Sequence, residues 1–357
     1  MSSETESRLF KPVTIGDSIE LKHRVVLAPL TRNRANSDFV HGELAVEYYT
    51  QRGNVSGTLL ITEATTIAEE AAGRPHVPGI YNEAQIDAWK KVTDSVHGKG
   101  SFIFAQLRAY GRSADPKFLK EVNPLFDVVS ASDIPLPTAN SVIPRSLTIE
   151  EIHKYVEFYT QAAINAIKAG FDGIELHAAN GYLIDQFIST RSNTRTDDYG
   201  GSVENRCRFA LEVVDSVVRA IGQKRTAIRL SPWGTFQGMR IDDPQPTYSY
   251  LVGRLSDSYP ELAYIHSNDF IRAIWSPRPI VSAGGYTRTS AIKAADEKGD
   301  LIAFGHAFIA NPDLPVRLLK NLPLSKPDPT TFYGPPTPVG YIDYPTYAQS
   351  TEKSDPV

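Results

Sequence analysis

The chain has 357 residues, of which 41% are hydrophobic and 22% charged, a balance that excludes a disordered or fibrous protein. The formal net charge of −4 gives no general reason to expect nucleic acid or an anionic membrane as a partner. Cys207 is the single cysteine, so no internal disulfide can form. We also find neither the pattern of a signal peptide nor an apolar run long enough to span a membrane. We therefore expect a cytoplasmic protein, either a monomer or a homodimer.

Eight short apolar runs recur along the chain and are rich in β-branched residues. Most are nearly continuous hydrophobic stretches, which is typical of parallel strands buried on both faces. With their flanking residues, they lie at 24–29, 58–64, 101–107, 173–178, 226–231, 263–268, 279–285 and 300–306.

Helical patterns fall between these runs. Thr148 and Glu151 form a capping-box pair at the start of the third helix, and Gly170 ends that helix. The helical segments are predicted at 43–52, 83–97, 148–169, 203–221, 248–257, 269–274, 289–298 and 314–319.

Eight units of a strand followed by a helix predict a single (β/α)8 barrel over residues 1–357. A doubly wound open sheet is the alternative, but no Gly-x-Gly-x-x-Gly motif follows the first run. The insertion at 109–145, after the third strand, is expected to cap the barrel or its active site. The Pro-rich stretch 324–357 is expected to be an irregular tail with a frayed acidic end.

Polar residues follow the predicted strands at the carboxyl face, where barrels of this kind place their chemistry. Any one of them could be a polar cap on the barrel rim, but together they indicate a site. They are Thr31, Arg32, Glu63, Gln106, Arg108, His177, Asn180, Tyr182, Arg229, His266, Gly284, Gly285, Gly305 and His306.

The loops after the last two strands carry Gly284, Gly285 and Gly305. A barrel commonly binds phosphate there, through backbone N–H groups and a helix N-terminus, although a pair of tight turns is the structural alternative. Arg229 would project from the fifth strand toward the barrel mouth. Its partner would be either an anionic or electron-rich cofactor edge or an internal carboxylate.

His177, Asn180 and Tyr182 follow the fourth strand closely enough to face one cavity. Histidine and asparagine can donate hydrogen bonds to a carbonyl oxygen and so polarise a conjugated substrate, and tyrosine can supply a proton. The pattern contains no metal-ligand cluster and no thiol nucleophile, since Cys207 is expected to pack within a helix.

Longer motifs are more specific than these single residues. They are 28–35 (Ala-Pro-Leu-Thr-Arg-Asn-Arg-Ala), 62–65, 177–187 (beginning His-Ala-Ala-Asn-Gly-Tyr), 193–202, 204–206, 282–288 and 308–314. Together they resemble the old yellow enzyme family of FMN-dependent, NAD(P)H-driven ene-reductases, and its fungal members in particular. The resemblance covers nearly the whole chain and implies a role in fungal secondary metabolism.

The resemblance implies roles for individual residues. Pro29, Leu30, Thr31, Ala64 and Gln106 would contact the flavin, Arg229 would stabilise charge at its electron-accepting edge, and Gly284, Gly285, Gly305 and His306 would lie at its phosphate. His177 and Asn180 would bind the carbonyl oxygen of an enone or enal substrate, Tyr182 would protonate its α-carbon, and Tyr341 would line the same pocket. NADPH or NADH would be the hydride donor.

Three features depart from the family pattern. His306 stands where a phosphate-binding arginine is expected, which would weaken FMN binding. Arg108 stands where a tryptophan is expected, which indicates an altered or anionic substrate unless the side chain faces solvent. The loop after the sixth strand is short, which would open the site to a bulky substrate or a partner chain. A non-reductive isomerisation or cyclisation, and a non-enzymatic binding scaffold, therefore stay open beside ene-reduction.

Overall fold

Eight parallel strands close into a barrel in the computed structural model, which describes residues 6–139, 141–267 and 269–352. Each strand pairs with the next along the chain, and the eighth pairs with the first. The strands are β1 Val25–Leu27, β2 Leu59–Ile61, β3 Phe102–Arg108, β4 Gly173–Ala178, β5 Thr226–Leu230, β6 Ile265–His266, β7 Ile280–Ala283 and β8 Leu301–Phe304. The predicted (β/α)8 barrel is confirmed, and the open sheet is excluded.

Helices follow the strands around the outside of the barrel. The predicted capping box is present, because Thr148 Oγ1 accepts the Glu151 N–H at 3.2 Å and Glu151 Oε2 accepts the Thr148 N–H at 2.8 Å. The numbered helices are α1 Glu43–Gly53, α2 Glu83–His97, α3 Ile149–Lys168, α4 Val203–Ile221, α5 Gln245–Ser258, α6 Arg272–Trp275, α7 Arg288–Lys298, α8 His306–Ala310 and α9 Leu314–Lys320. A further short helix, Leu183–Ile188, lies between β4 and α4. Among the described residues, no helix is long and apolar enough to cross a membrane.

The barrel interior is apolar and is closed at its amino-terminal end by a hairpin. Val26, Phe104 and Tyr264 belong to one buried cluster with residues of the antiparallel strands Val13–Ile15 and Ile19–Leu21. Because this end is plugged by hydrocarbon, the polar side chains of the strands can meet only at the opposite, carboxyl end.

The insertion after β3 lies over the carboxyl end of the barrel. Arg112 ties it down by donating to the backbone oxygens of Ile134 and Pro135, each at 3.2 Å, and to the Gln237 oxygen beyond β5, also at 3.2 Å. The described part of this insertion therefore caps the barrel, as predicted. It contains the short helix Pro116–Val122 and the strand Val129–Ser130, which pairs with Arg145–Ser146.

The C-terminal stretch packs firmly on the barrel although it is largely irregular. Arg32 donates from Nε to the Phe332 oxygen at 3.1 Å and from Nη2 to the Gly340 oxygen at 2.7 Å. One short 3-10 turn, Pro329–Thr331, and a final helix, Tyr347–Glu352, interrupt the irregular chain. The frayed end predicted for 353–357 lies outside the described residues, as does position 268 in the sixth predicted run.

Candidate active site

Parallel register brings the polar strand ends to one level at the barrel mouth. Arg229 of β5 lies opposite His177 of β4 on one side and His266 of β6 on the other. Gln106 of β3 lies opposite Glu175 of β4. Residues far apart in the sequence therefore become neighbours, because each faces inward near the carboxyl end of its strand.

Glu175 is the buried carboxylate that organises this mouth. It accepts hydrogen bonds from Gln106 Nε2 at 2.6 Å and from His266 Nδ1 at 2.9 Å. Burial opposes its ionisation, but His266 and Arg229 beside it hold the Glu175 pKa below its ordinary value. Sequence analysis missed this residue, although its spacing of two from His177 places both on the same face of β4.

Arg229 presents a positive charge to the barrel mouth. Burial lowers its pKa and the Glu175 carboxylate opposes that shift, so the side chain stays cationic at neutral pH. An internal carboxylate therefore acts on Arg229 electrostatically, as the sequence left open, but it is not bound to Arg229. No hydrogen bond or close ion pair joins the Arg229 guanidinium to any residue within the described ranges. The cation is therefore available to an anionic or electron-rich ligand.

The turn after β4, which carries Asn180, brings the Tyr182 ring back to His177. Asn180 and Gly181 adopt left-handed conformations, with φ of 57° and 77°. The Asn180 N–H donates to Ser231 Oγ at 2.8 Å, and the Gly181 N–H donates to Asp185 Oδ2 at 2.8 Å. These bonds return the chain toward the barrel axis, so the Tyr182 ring lies 4.9 Å from the His177 ring, measured between centroids.

His177 is a neutral imidazole in this environment. Burial, reinforced by the charges of Arg229 and Arg108, holds its pKa well below the ordinary value. Its Nδ1 atom is buried and has no hydrogen-bond partner among the described residues. An unpartnered buried nitrogen costs free energy, which a ligand oxygen at this point would recover.

A cavity of about 220 Å³ opens beside Tyr182, whose ring contacts His177. Its lining mixes hydroxyl, amide, aromatic and cationic side chains. They are Thr31, Asn33, Arg74, Arg108, Tyr110, Ser113, Tyr182, Phe236, Gln237 and Tyr333. Sequence analysis missed seven of them because they come from loops that only the barrel brings to one mouth: Asn33, Arg74, Tyr110, Ser113, Phe236, Gln237 and Tyr333.

Arg108 lies inside this site, so the alternative that it faces solvent is excluded. The side chain is 1% exposed, and its Cζ atom lies 4.0 Å from the Tyr110 ring centroid and 4.7 Å from that of Tyr182. Its Nη2 atom donates to the Tyr110 hydroxyl at 2.5 Å. Arg108 therefore forms a cationic wall between two aromatic rings.

Tyr341 does not line this cavity, contrary to the expectation from the sequence. It is fully buried beneath the C-terminal stretch and stacks on Tyr48 at 4.2 Å between centroids. Tyr333, eight positions earlier, lines the cavity instead. Both tyrosines belong to an irregular segment, where neither periodicity nor strand position could distinguish them.

The loops after β7 and β8 form an open cradle. Gly284 and Gly285 have φ of 145° and 73°, and a Cβ at either would meet no atom within 4 Å. A Cβ at Gly305 would lie 3.1 Å from the Leu30 side chain, so the Gly305 backbone lies close to the loop after β1. His306 is the first residue of α8, is exposed, and stacks on Phe332 with 4.7 Å between ring centroids.

The remaining predicted cofactor contacts surround the same mouth. Pro29, Leu30 and Thr31 are half-buried after β1, and Ala64 is buried after β2. Gln106 is 2% exposed and gives its amide N–H to Glu175, which leaves its oxygen for a further donor. The unpartnered Arg229 guanidinium and the open glycine cradle fit a flavin mononucleotide, whose electron-rich ring Arg229 would bind and whose phosphate the cradle would hold.

Comparisons with known proteins agree with this geometry. The model of the NADH:flavin oxidoreductase / NADH oxidase family matches residues 8–325. A chanoclavine-I aldehyde reductase of Penicillium roqueforti is 47% identical over 95% of this chain and 96% of that protein. A probable inactive dehydrogenase of Claviceps fusiformis is 42% identical over 98% of both chains. The crystal structure of an old yellow enzyme from Pichia sp. AKU4542 superposes with a TM-score of 0.92 at 39% identity, over 99% of this chain and 95% of that one.

Proposed function

Because the chain belongs to the NADH:flavin oxidoreductase / NADH oxidase family, that of the old yellow enzymes, we propose that it is an FMN-dependent ene-reductase. It uses NADPH or NADH to saturate the activated C=C bond of an α,β-unsaturated ketone or aldehyde. The observation that carries this proposal is the convergence of Tyr182, His177 and Arg229 on one mouth. A hydroxyl proton, an unpartnered imidazole and an unpartnered cation are together what such a reduction requires.

Residues around the barrel mouth would hold the cofactor. Thr31, Ala64 and Gln106 would contact its ring, Arg229 would stabilise the negative charge that the ring gains on reduction, and the glycine cradle would hold its phosphate. FMN, when bound, supplies the hydride that adds to the β-carbon of the substrate. His306 replaces the arginine expected at the phosphate and offers less charge and no bidentate fork, so FMN affinity is expected to be reduced.

The substrate carbonyl is polarised by His177 and Asn180. The neutral imidazole donates one N–H and the Asn180 amide donates another, which stabilises negative charge on the carbonyl oxygen as the β-carbon accepts hydride. Burial of His177 strengthens its hydrogen bond because little water competes with it.

Proton delivery is the role of Tyr182. Tyr182 lines the cavity, and its ring contacts the Arg108 guanidinium and the His177 ring. The proton leaves the phenol oxygen for the α-carbon, and proton exchange with water through the open cavity restores it. Tyr182 also favours an active enzyme, although the Claviceps relative is named a probable inactive dehydrogenase. An inactive barrel would not need a proton donor at its mouth.

Fungal secondary metabolism is the proposed setting, and an enal or enone is the proposed substrate class. The support is the similarity to the Penicillium roqueforti chanoclavine-I aldehyde reductase.

The first experiment is the visible absorption spectrum of the purified protein with and without added FMN. A flavin band that shifts when a phenol is added is the expected result, because it requires both an occupied cofactor site and an open cavity above it. If excess FMN leaves no band after desalting, the flavin proposal fails and His306 becomes the position to restore as arginine.

The second experiment tests Tyr182. Tyr182→Phe is expected to keep FMN and to lose at least about 100-fold in the rate of enone reduction, the usual contribution of a general acid. Tyr250→Phe is the matched control, since Tyr250 is half-buried on α5 outside the site. Full activity in Tyr182→Phe would remove Tyr182 from its role. A product of unchanged mass, formed without NADPH consumption, would instead establish the isomerisation.

A further inference from the structure

The wall of the active-site cavity is cationic and lacks an acid. Of the ten residues that line it, two are arginines, Arg74 and Arg108, and none is Asp or Glu. Exposed surfaces normally mix both signs of charge, so a cavity with two cations and no carboxylate has a positive potential that a low-dielectric wall strengthens.

Arg108 is the unusual member of this pair because it is buried without an acidic partner. Its one hydrogen bond in the described chain goes to the neutral Tyr110 hydroxyl, and its Nε atom is buried with no partner there. Glu63 acts on it electrostatically, but no hydrogen bond or ion pair in the described chain joins the two side chains. The Oε2 atom of Glu63 accepts the backbone N–H groups of Arg32 at 3.0 Å and Asn33 at 3.4 Å, and its Oε1 atom lies 3.5 Å from His41 Nε2 without a hydrogen bond. A buried guanidinium is normally paired, so the missing partner points to a ligand.

Arg74 adds a second cation at the entrance. It is exposed and makes no hydrogen bond or ion pair with any residue that the structure describes. A neighbouring cavity of about 450 Å³ shares Arg74 and Ser113 with the active-site cavity. Its one acid, Asp115, is occupied as the cap of the helix Pro116–Val122, where Oδ1 accepts two N–H groups. Space for a larger ligand therefore continues past Arg74.

We propose that Arg74 and Arg108 form an anion-binding subsite, which takes a carboxylate or phosphate group of the ligand that occupies the active-site cavity. The proposal rests on the reductase function only in identifying that ligand as its substrate or its nucleotide. A carboxylate supplies the acceptor oxygens that both guanidinium groups lack, and the cavity wall removes water that would otherwise compete with them. A substrate with an ammonium group near the reacting bond is disfavoured by the same charges.

The test compares two ligands that differ only in charge. 4-Hydroxybenzoate and 4-hydroxybenzamide are titrated into the FMN-supplemented protein by calorimetry, which requires no turnover. The acid is expected to bind at least about tenfold more tightly than the amide, the lower range for a charge-assisted hydrogen bond. Arg74→Gln and Arg108→Met are each expected to reduce that preference, and NADP⁺ titrated in the same way reveals whether a nucleotide phosphate uses the subsite.

The control is Arg219→Gln, which removes one exposed positive charge of α4 far from the cavity. It is expected to keep the wild-type preference, which separates a local subsite from the effect of net charge. Arg74→Gln keeps the test valid if Arg108→Met fails to fold, because Arg74 is exposed.

Loss of preference for the acid assigns the subsite to the substrate, and weaker NADP⁺ binding alone assigns it to the nucleotide. Unchanged binding of both in the arginine variants overturns the proposal. Calorimetry needs no turnover, so a preference for the acid that persists without enone reduction would leave the subsite in place and remove only the reductase function.

Discussion

Glu175→Gln is the substitution with the largest expected effect on this barrel. The change keeps the shape of the side chain but removes the charge that faces His266 and Arg229. The amide that replaces the carboxylate can accept from only one of the two donors that now bind it, and Arg229 is left without its compensating charge. Removing one partner of a buried charge pair costs about 3–5 kcal/mol, and we expect about 3 kcal/mol because one hydrogen bond is retained.

The melting temperature gives the clearest measurement of this loss. For 357 residues, the entropy of unfolding is about 0.75 kcal/mol/K, so 3 kcal/mol corresponds to about 4 °C. Thermal unfolding is followed by circular dichroism at one FMN concentration, because cofactor binding itself adds stability. Glu43→Gln is the control, since the Glu43 side chain is 81% exposed and its pair with Lys91 is a surface ion pair, which contributes little.

The pH dependence follows from the direction of the Glu175 pKa shift. Since its pKa is lower in the folded protein than in the unfolded chain, its contribution is complete above the unfolded value of about 4.3. It is lost as pH falls through the folded pKa. The difference between wild type and Glu175→Gln should therefore be largest near pH 7 and shrink in acid. A melting temperature lowered no more than by Glu43→Gln would refute this account of the barrel mouth.

Three further outcomes are expected. Burial raises the pKa of Asp185 to about 6, so between about pH 4 and pH 6 the folded protein holds a proton that the unfolded chain releases. When the pH is lowered from 7 to 5, the urea midpoint of wild type should therefore rise relative to that of Asp185→Asn. Gly181→Ala places a Cβ within 2.8 Å of Gln237 at a φ of 77°, and should lose more stability in urea than Gly222→Ala, which has a φ of 87° but open space. Arg32→Met removes both hydrogen bonds that anchor the C-terminal stretch, and limited proteolysis should then cleave 324–346 at least about tenfold faster, while equal rates would contradict the anchor.

The local hydrophobic pattern of the sequence was sufficient to predict the barrel. Each β-strand has to be apolar on both sides when helices cover one face and the barrel core fills the other, so the eight runs are visible without any tertiary information. Helix ends are equally local, because the Thr148–Glu151 capping box and the glycine after α4 satisfy backbone groups within a few residues. The glycine turns after β7 and β8 were predictable for the same reason, since each turn depends on only a few neighbouring residues.

The tertiary structure decided which polar side chains share the site. Glu175 is one of several buried strand residues until β3, β4 and β6 align and bring Gln106 and His266 to its carboxylate. Whether Arg108 faces solvent or the cavity depends on the Tyr110 and Tyr182 rings between which it packs. Tyr333 rather than Tyr341 lines the cavity because Arg32 holds the C-terminal stretch in one particular path. Local sequence thus determined the strands and their order, whereas side-chain roles at the mouth depend on contacts between distant segments, which no local pattern encodes.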